Sequence, residues 1–188
     1  MMFSPAEMKD LVRAWLLLSL AFAIVFAGFS LDFRFFVAVL TAGFTAGTGF
    51  LLHELAHKFV AQKYGCHAEF HAFDQMLWLA VLMSFFGFIF AAPGAVMIRG
   101  RINARKNGLI SLAGPLTNLV LGILFAVFSL LSPSGLFRMG VQINLWLAVF
   151  NMLPFFGLDG TKVLAWNKKV YALFLAIMLL ALFGVQAT

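Results

Sequence analysis

The chain has 188 residues, of which 63% are hydrophobic and 11% are charged. That hydrophobic content exceeds what a soluble domain of this length could bury, which excludes a soluble globular protein. The net charge of +6 comes from Lys and Arg residues spread over short stretches between apolar segments, a distribution that argues against nucleic-acid binding and is typical of a membrane protein.

Six apolar segments have roughly the 17 to 25 residues needed to cross a bilayer. In chain order they are 12–30, 35–52 running on into the next motif, 76–98, 108–131, 141–158 and 169–185. The first segment lacks a short apolar core followed by an A-x-A-like cleavage site, so we expect a retained span instead of a signal peptide.

These segments predict an all-α polytopic membrane protein, a helical bundle of five to six transmembrane segments with a re-entrant β-like element. We expect residues 1–188 to form a single domain, with a core at about 35–165 and flanking helices at about 12–30 and 169–185. The protein is expected in the cell membrane as a multi-pass chain.

The basic residues predict the orientation of these segments. Lys9 and Arg13 place the N-terminus in the cytoplasm, and Lys58 and Lys63 return the chain there after two crossings. If 76–98 also crossed the bilayer, the basic cluster at 99–106 would lie outside, against the charge rule. A re-entrant segment removes this conflict.

The re-entrant element is supported by a Pro-Gly pair, Pro93-Gly94, which interrupts a helical pattern and precedes a short extended-looking run. We map an extended strand onto 92–98. Because non-helical backbone at membrane depth is tolerated only against protein or a water-filled cavity, this strand is expected to line the active-site cavity. An ordinary span kinked at the proline remains the alternative.

The residues His53-Glu54-Leu55-Ala56-His57 follow an apolar helix that carries no charge from 35 to 52. Two histidines at i and i+4 stand on one helical face as zinc ligands, and the glutamate between them can activate water. The alternative is a buried histidine pair with a purely structural role.

Depth along the helices suggests a third ligand. His53 lies eighteen residues after Phe35, and Asp159 lies eighteen residues after Val141. If both segments are helices that start at the outer boundary, each site residue lies about 27 Å along its helix. This predicts a three-ligand site for one Zn²⁺ per chain, formed by His53, His57 and Asp159, with one open position.

Hydrolysis at such a site needs a base and a donor for the negative intermediate. Glu54 is the predicted base. Asn151 and Asn118 are candidate oxyanion donors, since each carries an amide on an otherwise apolar segment. Either could instead be a hydrogen-bond fastener between helices, a common use of Asn in membranes.

Three segments resemble motifs of the site-2 protease family of intramembrane zinc metalloproteases. They are HELAH at 53–57, AGPLTN at 113–118 and NMLPFFGLDG at 151–160, which matches N-x-x-P-x-x-x-L-D-G. The resemblance covers roughly residues 35–165 and is to a small prokaryotic-type member without a peptide-binding module.

This resemblance implies His53, His57 and Asp159 as zinc ligands, Glu54 as the catalytic base, and Asn151 as a residue that orients substrate or stabilises the oxyanion. It also implies a three-helix core and a membrane-embedded β-like segment that pairs with extended substrate. We assign that substrate-binding role to Ala92, Pro93, Gly94, Ala95 and Val96.

Two further patterns carry expectations about packing. Small residues including Gly43 and Gly47 recur along the helix that leads to HELAH and predict close helix packing. His67 and His71 form a second i, i+4 pair, but no third ligand follows at a suitable spacing, so we expect a solvated juxtamembrane loop there.

The sequence thus predicts a zinc-dependent intramembrane endopeptidase that cuts transmembrane segments of other proteins near the cytoplasmic face. Its expected partners are those substrates and the lipid bilayer, with no nucleic acid, and its active site is expected to open to the cytoplasm. A divalent-metal transporter and a non-catalytic relative that binds membrane helices are the rival hypotheses. Substrate identity, regulation and oligomeric state do not follow from the sequence.

Overall fold

A computed structural model describes residues 3–89 and 93–186. The elements in chain order are α1 Pro5–Ala27, α2 Phe33–Ala42, a π turn Gly43–Gly47, α3 Thr48–Lys63, β1 His67–Ala72, α4 Asp74–Ser84, β2 Gly94–Arg99, α5 Ala104–Leu131, α6 Gly135–Asn151, α7 Asp159–Trp166 and α8 Lys168–Gln186.

Within these described ranges, four helices are long and apolar enough to cross a membrane: Pro5–Ala27, the continuous Phe33–Lys63, Ala104–Leu131 and Lys168–Val185. These helices, together with two short strands, confirm the prediction of a mostly helical membrane protein with a small extended element. The two remaining apolar segments, 76–98 and 141–158, are both interrupted.

The segment 76–98 is not one helix. Helix α4 ends at Ser84, and a turn in which Gly87 adopts a positive φ of 84° ends the helical path. The chain becomes extended again at β2. The extended run expected at 92–98 is therefore present as Gly94–Arg99, and Ala92 lies outside the described residues.

The segment 141–158 is also broken, because α6 ends at Asn151 and α7 begins only at Asp159. Our assumption of a helix that continues to Leu158 was wrong. Pro154 has no backbone N–H and disfavours a helical residue before it. Phe156 and Gly157, with φ of 54° and 71°, then turn the chain through left-handed backbone.

The chain divides into two compact units, the first made of Met1–Leu51 and Glu69–Met97. In this unit α1 packs against α2, the π turn and α4. A Cβ atom added to Gly43 would lie 2.9 Å from the Trp15 ring, and one added to Gly47 would lie 2.8 Å from the Ser19 hydroxyl. The close packing expected from these glycines is confirmed.

Strand β1 replaces the loop expected around His67 and His71. Its burial alternates, with Ala68 and Phe70 buried and the polar residues on the other face, which is the period of a strand. We missed this strand because a short, polar segment directly after a helix was expected to be a solvated loop. Strand β1 pairs with β2.

Side chains of α1 occupy the outer edge of β1. The backbone N–H of Phe70 donates to the Glu7 carboxylate at 2.9 Å, and the N–H of Ala72 donates to the Asp10 carboxylate at 3.0 Å. Two residues apart, these N–H groups point to the same side of the strand. Exposed strand edges invite unwanted pairing, and here two carboxylates satisfy the edge.

The second unit consists of Leu52–Ala68 and Ile98–Thr188. Helix α5 packs against α6 and α7, and α8 covers α6 and α7. Close approach between α5 and α6 depends on glycines: a Cβ on Gly122 would lie 2.7 Å from Leu145, and one on Gly140 would lie 2.6 Å from Phe125. Residues of α5, α6 and α7 contribute to the site described next.

Candidate metal centre

Two histidines of α3 form the first half of the site. His53 and His57 lie one helical turn apart and are both buried. Their ring centroids are 4.7 Å apart with the ring planes nearly perpendicular. A helix that positions two buried imidazoles on one face provides two nitrogen ligands for a metal.

Asp159, the first residue of α7, completes the set. Its Oδ2 atom lies 3.2 Å from Nε2 of His53 and 3.1 Å from Nε2 of His57. In a tetrahedral zinc site with bonds of 2.0–2.2 Å, neighbouring ligand atoms are about 3.4 Å apart. Both distances from Asp159 are close to this spacing, and the three ligand atoms all lie within 4.8 Å of one another.

The hydrogen bonds of the two Nδ1 atoms determine which ring nitrogens are available to the metal. Nδ1 of His57 lies 2.7 Å from the backbone carbonyl of Ile110, which can only accept a hydrogen bond. Nδ1 of His53 lies 2.6 Å from Oδ1 of Asn118. Each Nδ1 therefore carries a proton, and in the neutral imidazole each Nε2 keeps its lone pair, as metal-binding histidines do.

This arrangement calls for a cation. Two Nε2 lone pairs and a carboxylate oxygen, all acceptors, converge within hydrogen-bond distance of one another in a buried site. Without positive charge between them they would repel in a medium of low dielectric constant. The donor set of two neutral imidazoles and one carboxylate is one that zinc prefers in catalytic sites.

Gly114 of α5 leaves room beside the two histidines. A Cβ atom at this position would lie 2.5 Å from Nε2 of both His53 and His57. Since zinc would bond to these same two atoms, any side chain at 114 would compete with the metal for this space. The glycine of the AGPLTN segment is thus required by the metal centre itself.

The non-helical turn before α7 brings Asp159 to the site. Gly160 lies directly over this turn, and a Cβ there would be 2.0 Å from the Met152 carbonyl oxygen. The approach of α7 to the end of α6 therefore needs glycine at 160. The predicted third ligand is in place, although by a turn and not by the continuous helix on which the depth argument relied.

The second carboxylate oxygen of Asp159 faces a cation. Lys162 lies one turn later on α7, and its Nζ is 3.8 Å from Oδ1 of Asp159. Oδ2 then faces the histidines while Oδ1 faces the lysine. This division favours Asp159 as a ligand through a single oxygen, which leaves a coordination position open.

The predicted catalytic residues have different surroundings. Glu54 is buried between the two histidines along α3. Asn151 ends α6, is partly buried, and donates its side-chain N–H to the Leu147 carbonyl at 3.0 Å. Asn118 is fully buried and contacts His53 through its oxygen.

The contacts of Asn118 bear on the two roles expected for it. Its Oδ1 accepts from His53, and its Nδ2 donates to Asn144 at 3.1 Å. A side chain engaged in this way holds His53 and joins two helices, and the oxyanion role of Asn118 stays a prediction. The contacts with His53 and Asn144 are those expected from the alternative, in which Asn118 forms hydrogen bonds between helices.

Several site residues were not found from the sequence. Asn144 and the Ile110 carbonyl contribute to the histidine environment, and Gly114, which the sequence showed only as part of the AGPLTN motif, lies against both histidine rings. Asn144 had a usable signal, because it is a polar amide within an apolar helix, as Asn118 is. A backbone carbonyl such as that of Ile110 leaves no sequence signal.

Comparison with known proteins places this geometry in a family. The chain is 41% identical over 178 residues to "Putative zinc metalloprotease MJ0611" of Methanocaldococcus jannaschii, which covers 91% of this chain and 90% of that protein. It is 31% identical over 140 residues to "Putative zinc metalloprotease YwhC" of Bacillus subtilis, covering 61% of this chain and 63% of that protein.

A third relative is "Zinc metalloprotease MJ0392" of Methanocaldococcus jannaschii, 30% identical over 120 residues, which covers 61% of this chain and 30% of that protein. No family model matches the chain, and no solved structure matches it.

The near full-length match shows that the chain belongs to this family of zinc metalloproteases. The membership agrees with the resemblance to site-2 proteases seen in the motifs. The family and the converging triad together identify the cofactor as one zinc ion, held by His53, His57 and Asp159.

Proposed function

We propose that the protein is an intramembrane endopeptidase of the site-2 protease type, which cleaves transmembrane segments of other membrane proteins. The observation that carries this proposal is the position of the buried His53, His57 and Asp159 centre. Two of these ligands lie on Phe33–Lys63, a helix long and apolar enough to cross a bilayer.

The proposed topology follows the charge distribution. With the N-terminus in the cytoplasm, α1 runs outward and Phe33–Lys63 runs inward. His53 then lies about 27 Å after Phe35, in the cytoplasmic part of a hydrocarbon layer about 30 Å thick. Segment 76–98 re-enters from the cytoplasmic side. Helices α5, α6 and α8 supply three more crossings, five in all, with the active site open to the cytoplasm.

Zinc, when bound, supplies a Lewis acid that activates water near neutral pH and polarises the scissile carbonyl. Glu54 accepts the proton from the attacking water and delivers it to the leaving nitrogen. Asn151, at the end of α6, is the proposed donor to the developing oxyanion. Asn118 and Ile110 hold the two imidazoles during the reaction.

Strand β2 gives the substrate a place to unwind. A transmembrane helix hides its amides in internal hydrogen bonds, so it must open locally before water can attack. Carboxylates of α1 already occupy the outer edge of β1. We therefore assign β2, with Gly94, Ala95 and Val96, as the strand with which an extended substrate pairs. Pro93 precedes the strand.

The unwinding step can be tested with paired substrates. A transmembrane segment interrupted by Gly or Asn is expected to be cut faster than an uninterrupted poly-leucine segment of the same length. Equal cleavage rates for the two segments would contradict the unwinding step. The identity of the zinc centre would not be affected by that result.

The two rival functions differ in what they require of Glu54. A metal transporter or a non-catalytic helix-binding protein has no need of a base beside the metal. The proposal is tested with purified protein and a membrane substrate reconstituted in liposomes, by comparing wild type with Glu54→Gln and measuring zinc content in both.

We expect Glu54→Gln to retain zinc and to lose cleavage, because the amide cannot accept the proton. A variant that cleaves as fast as wild type would exclude Glu54 as the base. Zinc flux across the liposome membrane without proteolysis would favour the transporter. Binding of the substrate without cleavage by the zinc-loaded wild type would favour the helix-binding protein.

A further inference from the structure

A line of buried amides leads away from the zinc centre. His53 Nδ1 contacts Oδ1 of Asn118 at 2.6 Å, Nδ2 of Asn118 donates to Oδ1 of Asn144 at 3.1 Å, and Nδ2 of Asn144 donates to the Gly140 carbonyl at 2.9 Å. Both asparagines are fully buried. The line joins α3, α5 and α6.

The Gly140 carbonyl determines the direction of every bond in this line. A backbone carbonyl only accepts, so Asn144 must present its NH₂ group to Gly140 and its oxygen to Asn118. Asn118 must then present its NH₂ group to Asn144 and its oxygen to His53. An oxygen facing Nδ1 requires a proton on Nδ1, which leaves the Nε2 lone pair for the metal.

The opposite arrangement would disable the site. If the Asn118 amide were rotated by half a turn, its NH₂ group would face Nδ1 of His53 and favour the tautomer protonated at Nε2. That proton would occupy the position of the metal bond. An isolated asparagine could adopt either orientation, whereas one paired with Asn144 has a clear preference.

We infer that Asn144 is a positioning residue of the zinc centre, which sets the His53 tautomer and ring orientation through Asn118 without contacting the metal. This inference rests on the zinc centre proposed for the enzyme. Groups that orient metal ligands in this way typically change metal affinity by about 10- to 100-fold when they are lost.

The close contact between α5 and α6 makes the arrangement possible. Gly122 and Gly140 have no room for a Cβ against Leu145 and Phe125, so the two helices approach closely enough for their asparagines to bond directly. Buried amides left without partners are costly. Each member therefore maintains the orientation of the next.

The test measures zinc affinity instead of cleavage. Wild type, Asn144→Leu, Asn118→Leu and the double variant are purified in detergent, and their zinc dissociation constants are measured by competition with a chromophoric chelator. The absorption spectrum of the cobalt-substituted proteins reports the coordination geometry. Circular dichroism and gel filtration establish that each variant is folded.

We expect Asn144→Leu to bind zinc about 10- to 100-fold more weakly than wild type and to show an altered cobalt spectrum. Asn118→Leu should lose at least as much affinity. The double variant should be no worse than Asn118→Leu, because Asn144 acts only through Asn118. Wild-type affinity in Asn144→Leu, or losses that multiply in the double variant, would overturn the inference.

The control variant is Thr117→Val. The Thr117 hydroxyl donates to the Ala113 carbonyl four residues earlier at 2.9 Å, as the Asn144 side chain does to the Gly140 carbonyl, but the Thr117 bond stays within α5 and does not lead to His53. Thr117→Val tests whether the removal of a side-chain hydrogen bond to a backbone carbonyl of the same helix is enough to weaken zinc binding. A loss of affinity in Thr117→Val equal to that in Asn144→Leu would contradict the proposed pathway.

If Asn144→Leu does not fold, Asn144→Asp provides the second measurement. It keeps the size of the side chain and an oxygen that accepts from Asn118, and in its protonated form it also donates to the Gly140 carbonyl, so at a pH where it is protonated its zinc affinity should stay within a few-fold of wild type. A folded Asn144→Asp protein that bound zinc as weakly as Asn118→Leu would overturn the inference. Failure of the wild type itself to bind zinc would instead overturn the proposed function.

Discussion

The two units use carboxylates in different ways. In the first unit, Glu7 and Asp10 face backbone N–H groups of β1, so each negative charge meets donors. In the second, Asp159 faces two imidazole nitrogens whose protons are committed elsewhere. The first environment is complete without a ligand, whereas the second calls for a cation.

The same comparison distinguishes a structural site from a metal site more generally. A buried carboxylate surrounded by donors stabilises the fold and has no further use for a metal. A buried carboxylate surrounded by oriented acceptors indicates where a metal binds. Residues that fix this orientation, such as Asn118 and the Ile110 carbonyl, are as informative as the ligands.

The largest expected effect comes from removal of the carboxylate at the metal. Asp159→Ala leaves two imidazole ligands, and a catalytic zinc site normally has three protein ligands. We expect zinc to be lost on dialysis and cleavage to become undetectable. Metal analysis after gel filtration measures this directly. Stoichiometric zinc in a folded Asp159→Ala protein would show that the carboxylate is not a ligand.

Gly114→Ala should disturb the metal with almost no change in composition. The added methyl group would lie 2.5 Å from Nε2 of both histidines, so we expect zinc affinity to fall sharply. The helix itself should tolerate alanine, which is favoured over glycine by about 1 kcal/mol within helices. Titration with zinc and thermal unfolding separate these two effects.

Gly184→Ala is the matched control for this change. Gly184 lies in α8, where an added Cβ would meet nothing within 4 Å. We expect wild-type zinc affinity and equal or slightly higher thermal stability. If both alanine variants bound zinc equally well, the space at Gly114 would not be part of the metal centre.

The sequence was sufficient to predict the site ligands but not the path that brings them together. HELAH specifies its own geometry, since i, i+4 spacing on a helix places His53 and His57 side by side. Asp159 was predicted at the right site through a wrong element, because Pro154 and the positive φ of Phe156 replace the last helical turns. Local sequence signals thus identified the ligand residues better than they predicted the path of the chain between α6 and α7.

Other features depend on tertiary contacts that no local pattern encodes. The orientation of Asn118 follows from Asn144, which is 26 residues away, and the need for glycine at 114 follows from side chains of α3. The strand at His67–Ala72 was missed because a short segment with several polar residues was expected to be a solvated loop. Its edge contacts with α1 arise only once the chain has folded.

An intermediate effect is expected in the first unit. Asp10→Ala removes the acceptor for the Ala72 N–H and a 2.6 Å ion pair with Arg13. A hydrogen bond of this kind contributes about 1 kcal/mol or somewhat more to stability. We expect a lower unfolding temperature with unchanged zinc affinity per folded molecule. A change in zinc affinity as large as that in Gly114→Ala would remove the contrast between the two environments.

The smallest expected effect is at the start of α2, where Asp32 is the N-cap. Its carboxylate accepts from the Phe35 N–H at 2.8 Å and from the Ser30 hydroxyl at 3.0 Å. These bonds, the one from Phe35 above all, lower the pKa of the Asp32 carboxyl below its ordinary value. The ionised form is therefore the one that stabilises the helix start.

The sign of the pH dependence follows from that direction. A carboxyl with a lowered pKa in the folded protein stabilises the fold above its ordinary pKa of about 4, and this contribution is lost as pH falls through the folded value. Asp32→Ala should therefore lower the unfolding temperature slightly at neutral pH and have less effect in acid. Asp32→Asn keeps an acceptor for the Phe35 N–H without the charge, so its stability should lie nearer to wild type and vary less with pH. An Asp32→Ala effect that grows as the pH falls would show that the charge of this cap does not contribute to stability.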